Sequence, residues 1–88
     1  MKQTPSTPAL RISNTAYVRI MNLLLAECAD LKPNYAMDLI EAVNDYLLTG
    51  NLRIVHMSLT NRLRDIAAII DRAALRSARA RQAALNRP

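Results

Sequence analysis

The sequence predicts an all-α protein: a three-helix bundle made of an antiparallel helical hairpin and a long C-terminal helix, completed by dimerisation. Alanine and leucine, the strongest helix formers, supply fourteen and thirteen of the 88 residues. One glycine and four prolines leave few positions at which a helix must break. Apolar residues make up 51% of the chain and recur at helical spacing in three stretches, which indicates three helices.

The chain divides into three predicted parts. Residues 1–12 show no apolar periodicity, and they are expected to form a flexible N-terminal arm. Residues 13–77 are the predicted helical domain. Residues 78–88 are rich in alanine and arginine and lack an apolar face, so we expect a basic helical extension outside the packed bundle.

The first helix is predicted to begin at Ser13 or Asn14, either of which can cap it, and to end near Asp30. Its apolar residues occupy about half of its circumference, a wider face than one partner helix covers. They are Tyr17, Val18, Ile20, Met21, Leu24, Leu25, Cys28 and Leu31.

Proline and glycine set the limits of the second helix. Pro33 suits the first helical position, so the helix is predicted to start at residues 33–35. Gly50 favours a C-terminus at Leu48 or Thr49, because it adopts a left-handed conformation without strain. An acidic ridge follows one side of this helix, and it consists of Asp38, Glu41 and Asp45.

One long third helix is predicted over residues 51–84. Its apolar residues recur at spacings of three and four, which keeps them on one side of the helix. They are Leu52, Val55, Leu59, Leu63, Ile66, Ile70 and Ala73. A break near residues 58–61 is the alternative, although no Glu or Gln follows at the spacing of a capping box.

The net charge of +5 lies entirely in the last 28 residues, where seven arginines accompany only Asp65 and Asp71. On a helical wheel, Arg72, Arg76 and Arg79 lie within about 60° of one another. Arginine offers a planar fork of donors that matches phosphate and carboxylate. The predicted binding residues for nucleic acid or an acidic partner are Arg62, Arg72, Arg76, Arg79 and Arg87.

Two functions fit this basic helix. The first is contact with DNA or RNA phosphates with little sequence selectivity. The segment lacks aromatic residues to stack on unpaired bases, and the chain shows no clear helix-turn-helix for base recognition. The second is a structural or protein-interaction role, in which the arginines pair with the acidic ridge of the same chain or another copy, or with an acidic partner protein.

Enzyme chemistry, cofactors and metal sites have little support in the sequence. His56 is the only histidine and Cys28 the only cysteine, so there is no cluster at metal-ligand spacing. Cys28 lies in an apolar stretch and is expected to be a buried small side chain. No apolar run approaches the ~20 residues of a transmembrane helix, and the expected setting is soluble and cytoplasmic.

Self-association is predicted because apolar residues are left over after three helices pack. Exposed together, they would form a larger patch than a soluble monomer usually shows, and a homodimer or higher oligomer would cover it. The predicted interface residues are Tyr17, Leu24, Leu48, Met57, Ile66 and Ile69.

Overall fold

The computed structural model describes residues 12–86, and the described chain is all-helical. Its elements are α1 (Asn14–Cys28), α2 (Pro33–Thr49) and α3 (Met57–Leu85). Each helix packs against the other two, and the described residues contain no strand. The all-α class is therefore confirmed, whereas nearly all of the predicted N-terminal arm lies outside the described residues.

Ser13 is the residue that caps α1. Its backbone is extended, at φ −71° and ψ 160°, and its hydroxyl oxygen accepts a hydrogen bond of 3.1 Å from the N–H of Ala16. This bond satisfies one of the N–H groups that the first turn of a helix leaves without a partner. The helix ends at Cys28, two residues before the predicted end at Asp30.

The ends of α2 agree with the prediction from proline and glycine. Pro33 is the first helical residue. Gly50 has φ 78° and ψ 6°, and its N–H donates a hydrogen bond of 2.8 Å to the carbonyl of Tyr46. Glycine is needed here because a Cβ atom would strain this left-handed conformation. Thr49 adds a second bond, since its hydroxyl donates to the Asp45 carbonyl at 2.7 Å.

The predicted start of the third helix at residue 51 is wrong. Residues 51–56 are irregular, and α3 begins at Met57. Leu52 and Ile54 are exposed, at 49% and 98%, whereas Val55 packs against the core from a non-helical backbone. The spacing of the apolar residues before Leu59 is typical of a helix, but no helix forms there.

His56 caps the start of α3. Its Nδ1 atom accepts a hydrogen bond of 3.1 Å from the N–H of Ser58, which caps the helix. The imidazole also lies against the ring of Tyr35, with 5.1 Å between ring centroids. Histidine is not a usual capping residue. The alternative of a break near residues 58–61 is close to this start, although the histidine cap itself was not predicted.

One hydrophobic core receives side chains from all three helices. No polar or charged residue of the described chain is fully buried. The largest fully buried side chains come one from α1, two from α2 and three from α3, and they are Ile20, Leu39, Val43, Leu59, Ile66 and Ile70.

The core ends well before α3 does. Ala73 is the last buried residue, and every residue from Ala78 to Asn86 is exposed. The helix has 29 residues, so it is about 43 Å long at 1.5 Å per residue. The radius of gyration, 14.9 Å, exceeds the value of about 12 Å that the chain length predicts for a compact domain. The final turns of α3 thus project beyond the other two helices.

Replacing His56 tests its capping role. His56→Leu should lower the free energy of unfolding by about 1 kcal/mol relative to His56→Asn, because only the asparagine side chain can accept the Ser58 N–H bond. Both variants lose the imidazole that lies against Tyr35, so the comparison isolates the cap. Urea unfolding followed by circular dichroism measures the difference. Equal stabilities would show that the cap contributes nothing.

Candidate nucleic-acid interface

Three arginines form an exposed stripe along the second half of α3, which we call the arginine stripe: Arg72, Arg76 and Arg79. Their i, i+4, i+7 spacing places them on one side of the helix over about 10 Å. Within residues 12–86 none of the three makes a salt bridge, although all seven carboxylate side chains of the protein lie in that range. The arginine stripe therefore has no carboxylate partner within the described residues.

The arginine stripe lies next to the buried face of α3, not across it. Ile66, Ile70 and Ala73 point into the core, and the stripe begins beside the last of them. The helix then continues with no described residue packed on it, and Arg81 is exposed there. On a helical wheel Arg81 lies about 200° from Arg79, so the projecting helix carries positive charge on two sides.

Arg62 does not belong to this surface, contrary to the sequence prediction. Its guanidinium donates to both carboxylate oxygens of Asp30, at 3.0 and 2.9 Å, and to a carboxylate oxygen of Glu27 at 3.0 Å. It also donates to the Glu27 backbone carbonyl at 2.7 Å, at the C-terminal end of α1. Arg62 thus neutralises the negative end of a helix and joins α3 to α1.

The contact with Arg62 changes the pKa of the Asp30 carboxyl group. The hydrogen bonds from Arg62 hold the pKa of Asp30 below its ordinary value. The sequence gives no direct sign of this contact, because more than thirty residues separate Arg62 from Glu27 and Asp30. Only the packing of α3 on α1 brings them together.

Asp71 is the carboxylate nearest in sequence to the arginine stripe, and it is held by α2. The hydroxyl of Tyr46 donates to Asp71 Oδ1 at 2.6 Å. This bond and partial burial raise the pKa of Tyr46 from 10.0 to about 12. Asp71 lies about 100° around the helix from Arg72. The hydrogen bond from Tyr46 therefore holds the Asp71 carboxylate on the side of α3 that faces α2.

The acidic ridge of α2 does not pair with the arginine stripe in the same chain. Arg53, in the segment before α3, lies 3.6 Å from Glu41 and 3.4 Å from Asp45. Asp38 makes no salt bridge with any described residue. One arginine thus pairs with two of the three carboxylates, and the ridge keeps a net negative charge.

The six predicted interface residues differ in their exposure. Leu24 and Ile66 are buried in the core of a single chain, at 2% and 1% exposed, so they have no surface to offer a second copy and leave the predicted interface. Ile69 is partly buried against the core. The remaining three predicted interface residues are exposed: Tyr17, Leu48 and Met57. Arg87 lies outside the described residues.

Cys28 is partly buried, not fully buried as expected. Its thiol lies 3.8 Å from the carbonyl of Ala36, to which it donates, and burial raises the pKa of the thiol. No group of three or more metal-ligating side chains occurs among residues 12–86. In the same range no helix is both long enough and apolar enough to cross a bilayer.

No protein-family model matches the chain, and neither a curated protein nor a solved structure matches it. The function is therefore argued from the geometry and charge described above.

Alkaline titration tests the contact between Tyr46 and Asp71. Phenolate absorbance should include a transition near pH 12 that Tyr46→Phe removes and Tyr17→Phe leaves in place. Because the folded-state pKa is raised, the contribution of Tyr46 to stability is present below pH 10 and is lost as the pH rises toward 12. Asp71→Asn should move the transition to lower pH, and no movement would show that the contact is absent.

Removing the arginine fork tests the link between α3 and α1. Arg62→Gln should lower the melting temperature at neutral pH, and the loss should shrink in acid. The folded-state pKa of Asp30 is depressed, so its contribution is present at neutral pH and disappears as the pH falls through that pKa. Arg64→Gln is the matched control, since Arg64 is exposed on the same helix and forms no salt bridge with a described residue. Equal melting temperatures for the two variants would contradict the role of the fork.

Proposed function

We propose that this is a small non-enzymatic helical binding or adaptor protein whose arginine stripe contacts nucleic-acid phosphates with little sequence selectivity. The observation that carries the proposal is that Arg72, Arg76 and Arg79 are exposed and make no salt bridge within the described chain. Arginines that stabilised the fold would have carboxylate partners, as Arg62 and Arg53 do.

The projecting end of α3 suits the groove of a duplex. The major groove of B-form DNA is about 12 Å wide and admits an α-helix, whereas the A-form groove of RNA is too narrow. From Ala78 to Asn86 every residue is exposed, so the other helices leave this part of α3 accessible to a duplex. Arg79 and Arg81 lie on opposite sides of the helix, which suits contact with the two backbones that border a groove.

Low selectivity follows from the side chains available. Beyond the arginines, the exposed end of α3 is mostly alanine, and Gln82 is its only amide side chain before Asn86. Base recognition needs several polar side chains aimed at base edges. Single-strand binding usually needs aromatic platforms, and α3 has no aromatic residue. We therefore favour duplex DNA over RNA and over single strands.

The salt dependence of binding tests this function. Each neutralised phosphate releases counterions, so a site that uses about four arginines should give a log–log slope of roughly −3 to −4 for affinity against salt. Replacing Arg72, Arg76 and Arg79 together by Gln should remove most of that slope and leave helicity intact, because glutamine keeps helix propensity. Fluorescence anisotropy with duplexes of unrelated sequence measures both effects.

Two arginines of α3 provide the matched comparison. Arg76→Gln and Arg62→Gln remove the same charge from the same helix, but only Arg76 belongs to the arginine stripe. Arg76→Gln should weaken binding and reduce the slope by about one, whereas Arg62→Gln should change neither at a temperature where it is folded. Absence of binding to duplex DNA and RNA at low salt would reject the proposal.

The second candidate is a structural or protein-interaction module in which the arginines bind carboxylates of another copy or of an acidic protein. It is favoured by the acidic ridge, where Arg53 pairs with only two of the three carboxylates. Read in opposite directions, the ridge and the arginine stripe have the same spacing of three and then four residues, so two antiparallel helices could align them. If the triple substitution dissociates an oligomer and leaves duplex binding unchanged, this candidate is correct.

We further propose the finer arrangement of the bundle and its assembly. Residues 29–32 form a short connection between α1 and α2, which favours an antiparallel hairpin with α3 packed across it. A homodimer or higher oligomer would cover the exposed apolar side chains that include Tyr17, Leu48 and Met57. A cytoplasmic location is consistent with binding to nucleic acid.

A further inference from the structure

The segment between α2 and α3 runs along the surface with almost no slack. Contacts with α2 fix both of its ends: the N–H of Gly50 donates to the carbonyl of Tyr46, and the ring of His56 lies against Tyr35. From Tyr35 to Gly50, α2 rises by about 22 Å. His56 is six residues after Gly50, and that length of chain spans about 20 to 22 Å when it is extended. The segment must therefore be extended.

The side chains of this segment alternate between solvent and protein, as they do in a β-strand. Leu52 and Ile54 are 49% and 98% exposed. Arg53 forms salt bridges with the acidic ridge, and Val55 packs against the core. This period of two is the period of a strand, in which successive side chains point to opposite faces. Residues 52–55 are therefore a short strand without a neighbouring strand.

The backbone of residues 52–55 is unpaired. None of their N–H or C=O groups forms a hydrogen bond with another residue in the range 12–86. Such a strand is the element to which an extended peptide adds, because two extended backbones present donors and acceptors at matching intervals. A peptide is thus the ligand class that matches these groups.

A pocket of about 220 Å³ lies directly beside these backbone groups. Residues 52–55 form one wall, and Thr60, Leu63 and Arg64 of α3 form the other. Pockets for drug-sized molecules usually enclose about 300 to 1,000 Å³. At about 30 Å³ for a water molecule, this one has room for roughly seven atoms of that size, which is one large apolar side chain.

Arg64 is the charged group of the pocket that has no partner among residues 12–86. It is exposed and forms no salt bridge there. Arg53 also lines the pocket, but Glu41 and Asp45 already offset its charge. Asp65 follows Arg64 in sequence and lies about 100° farther around α3. Arg64 is therefore the group that selects a carboxylate in the ligand.

This chain has no extended acidic segment of its own to fill the site. Residues 1–11 and 87–88 contain no Asp or Glu, and all seven carboxylate side chains lie in the range 12–86. Six of the seven are in the three helices, and Asp30, in the connection after α1, is bound by Arg62. Charge complementarity therefore favours a segment of a different protein over a second copy.

We propose that residues 52–55 bind an extended segment of a partner protein by strand addition. One apolar side chain of the partner fills the pocket, and a carboxylate two residues along the partner strand binds Arg64, since alternate side chains share one face. Backbone hydrogen bonds provide affinity, and the pocket and Arg64 provide specificity. The site is separate from the arginine stripe, so the proposal does not rest on nucleic-acid binding.

Amide hydrogen exchange of the full chain tests strand addition. The probe is a threonine-rich heptapeptide with one central isoleucine and an aspartate two residues to either side, so that it fits in both strand directions. At saturation, exchange should slow at alternate amides, either 52 and 54 or 53 and 55, because one edge of a strand pairs through every second residue. Equal slowing at all four amides, or at none, would overturn the proposal.

Peptide variants test the pocket and the charge. Replacing the isoleucine by serine should weaken binding at least about tenfold, because the pocket loses its apolar occupant. Arg64→Gln should weaken binding of the aspartate peptide about two- to fivefold, as for an exposed ion pair, and should not change binding of the same peptide with asparagine in place of aspartate. Nuclear magnetic resonance titration measures these affinities. Equal effects on the two peptides would reject the contact between Arg64 and the carboxylate.

The matched control is Arg76→Gln, which removes an exposed arginine of the same helix and should leave peptide binding unchanged. Peptide binding that persists in the triple variant of Arg72, Arg76 and Arg79, where duplex binding is lost, would support two separate sites. If Arg64→Gln weakens duplex binding and leaves peptide binding unchanged, Arg64 belongs to the nucleic-acid surface and the peptide site is rejected. Slow exchange at residues 52–55 in the free protein that disappears on dilution would show that a second copy occupies the segment, which also overturns the proposal.

Discussion

The packing of α1 and α2 against one apolar side of α3 is the constraint on which the rest of the structure depends. That side runs from Leu59 to Ala73, and both shorter helices contribute their buried residues to it. Because α1 and α2 have 15 and 17 residues and α3 has 29, they cannot cover the whole length of α3. The remaining turns of α3 are therefore exposed, and they carry the arginines.

The same packing determines which arginines form salt bridges within the described chain and which do not. Arg62 lies where α3 passes the end of α1, so it binds Glu27 and Asp30. Arg53 lies beside α2 and binds its acidic ridge. The arginines farther along α3 are beyond the reach of both acidic groups. Their mutual repulsion is unrelieved within the described chain, which favours an external anion.

The proposed self-association would connect this electrostatic feature to assembly. A small domain buries a limited fraction of its surface, and α1 places apolar residues on both of its sides. A second copy that covered the exposed apolar side chains would add to a core that is small for one chain. It would also couple two basic helices, so that the second phosphate contact becomes intramolecular and the affinity for a long polyanion rises without any new residue.

The sequence by itself determined the helical class, the ends of α1 and α2 to within two residues, and the segregation of charge. These features depend on local properties: helix propensity, the Ser13 cap, the ring of Pro33 and the left-handed Gly50. Tertiary structure alone decided the remainder. The start of α3 depends on an imidazole that also contacts Tyr35, and the role of Arg62 depends on carboxylates more than thirty residues away. Leu24 and Ile66 became core residues because periodicity shows which side of a helix is apolar but not which neighbour covers it.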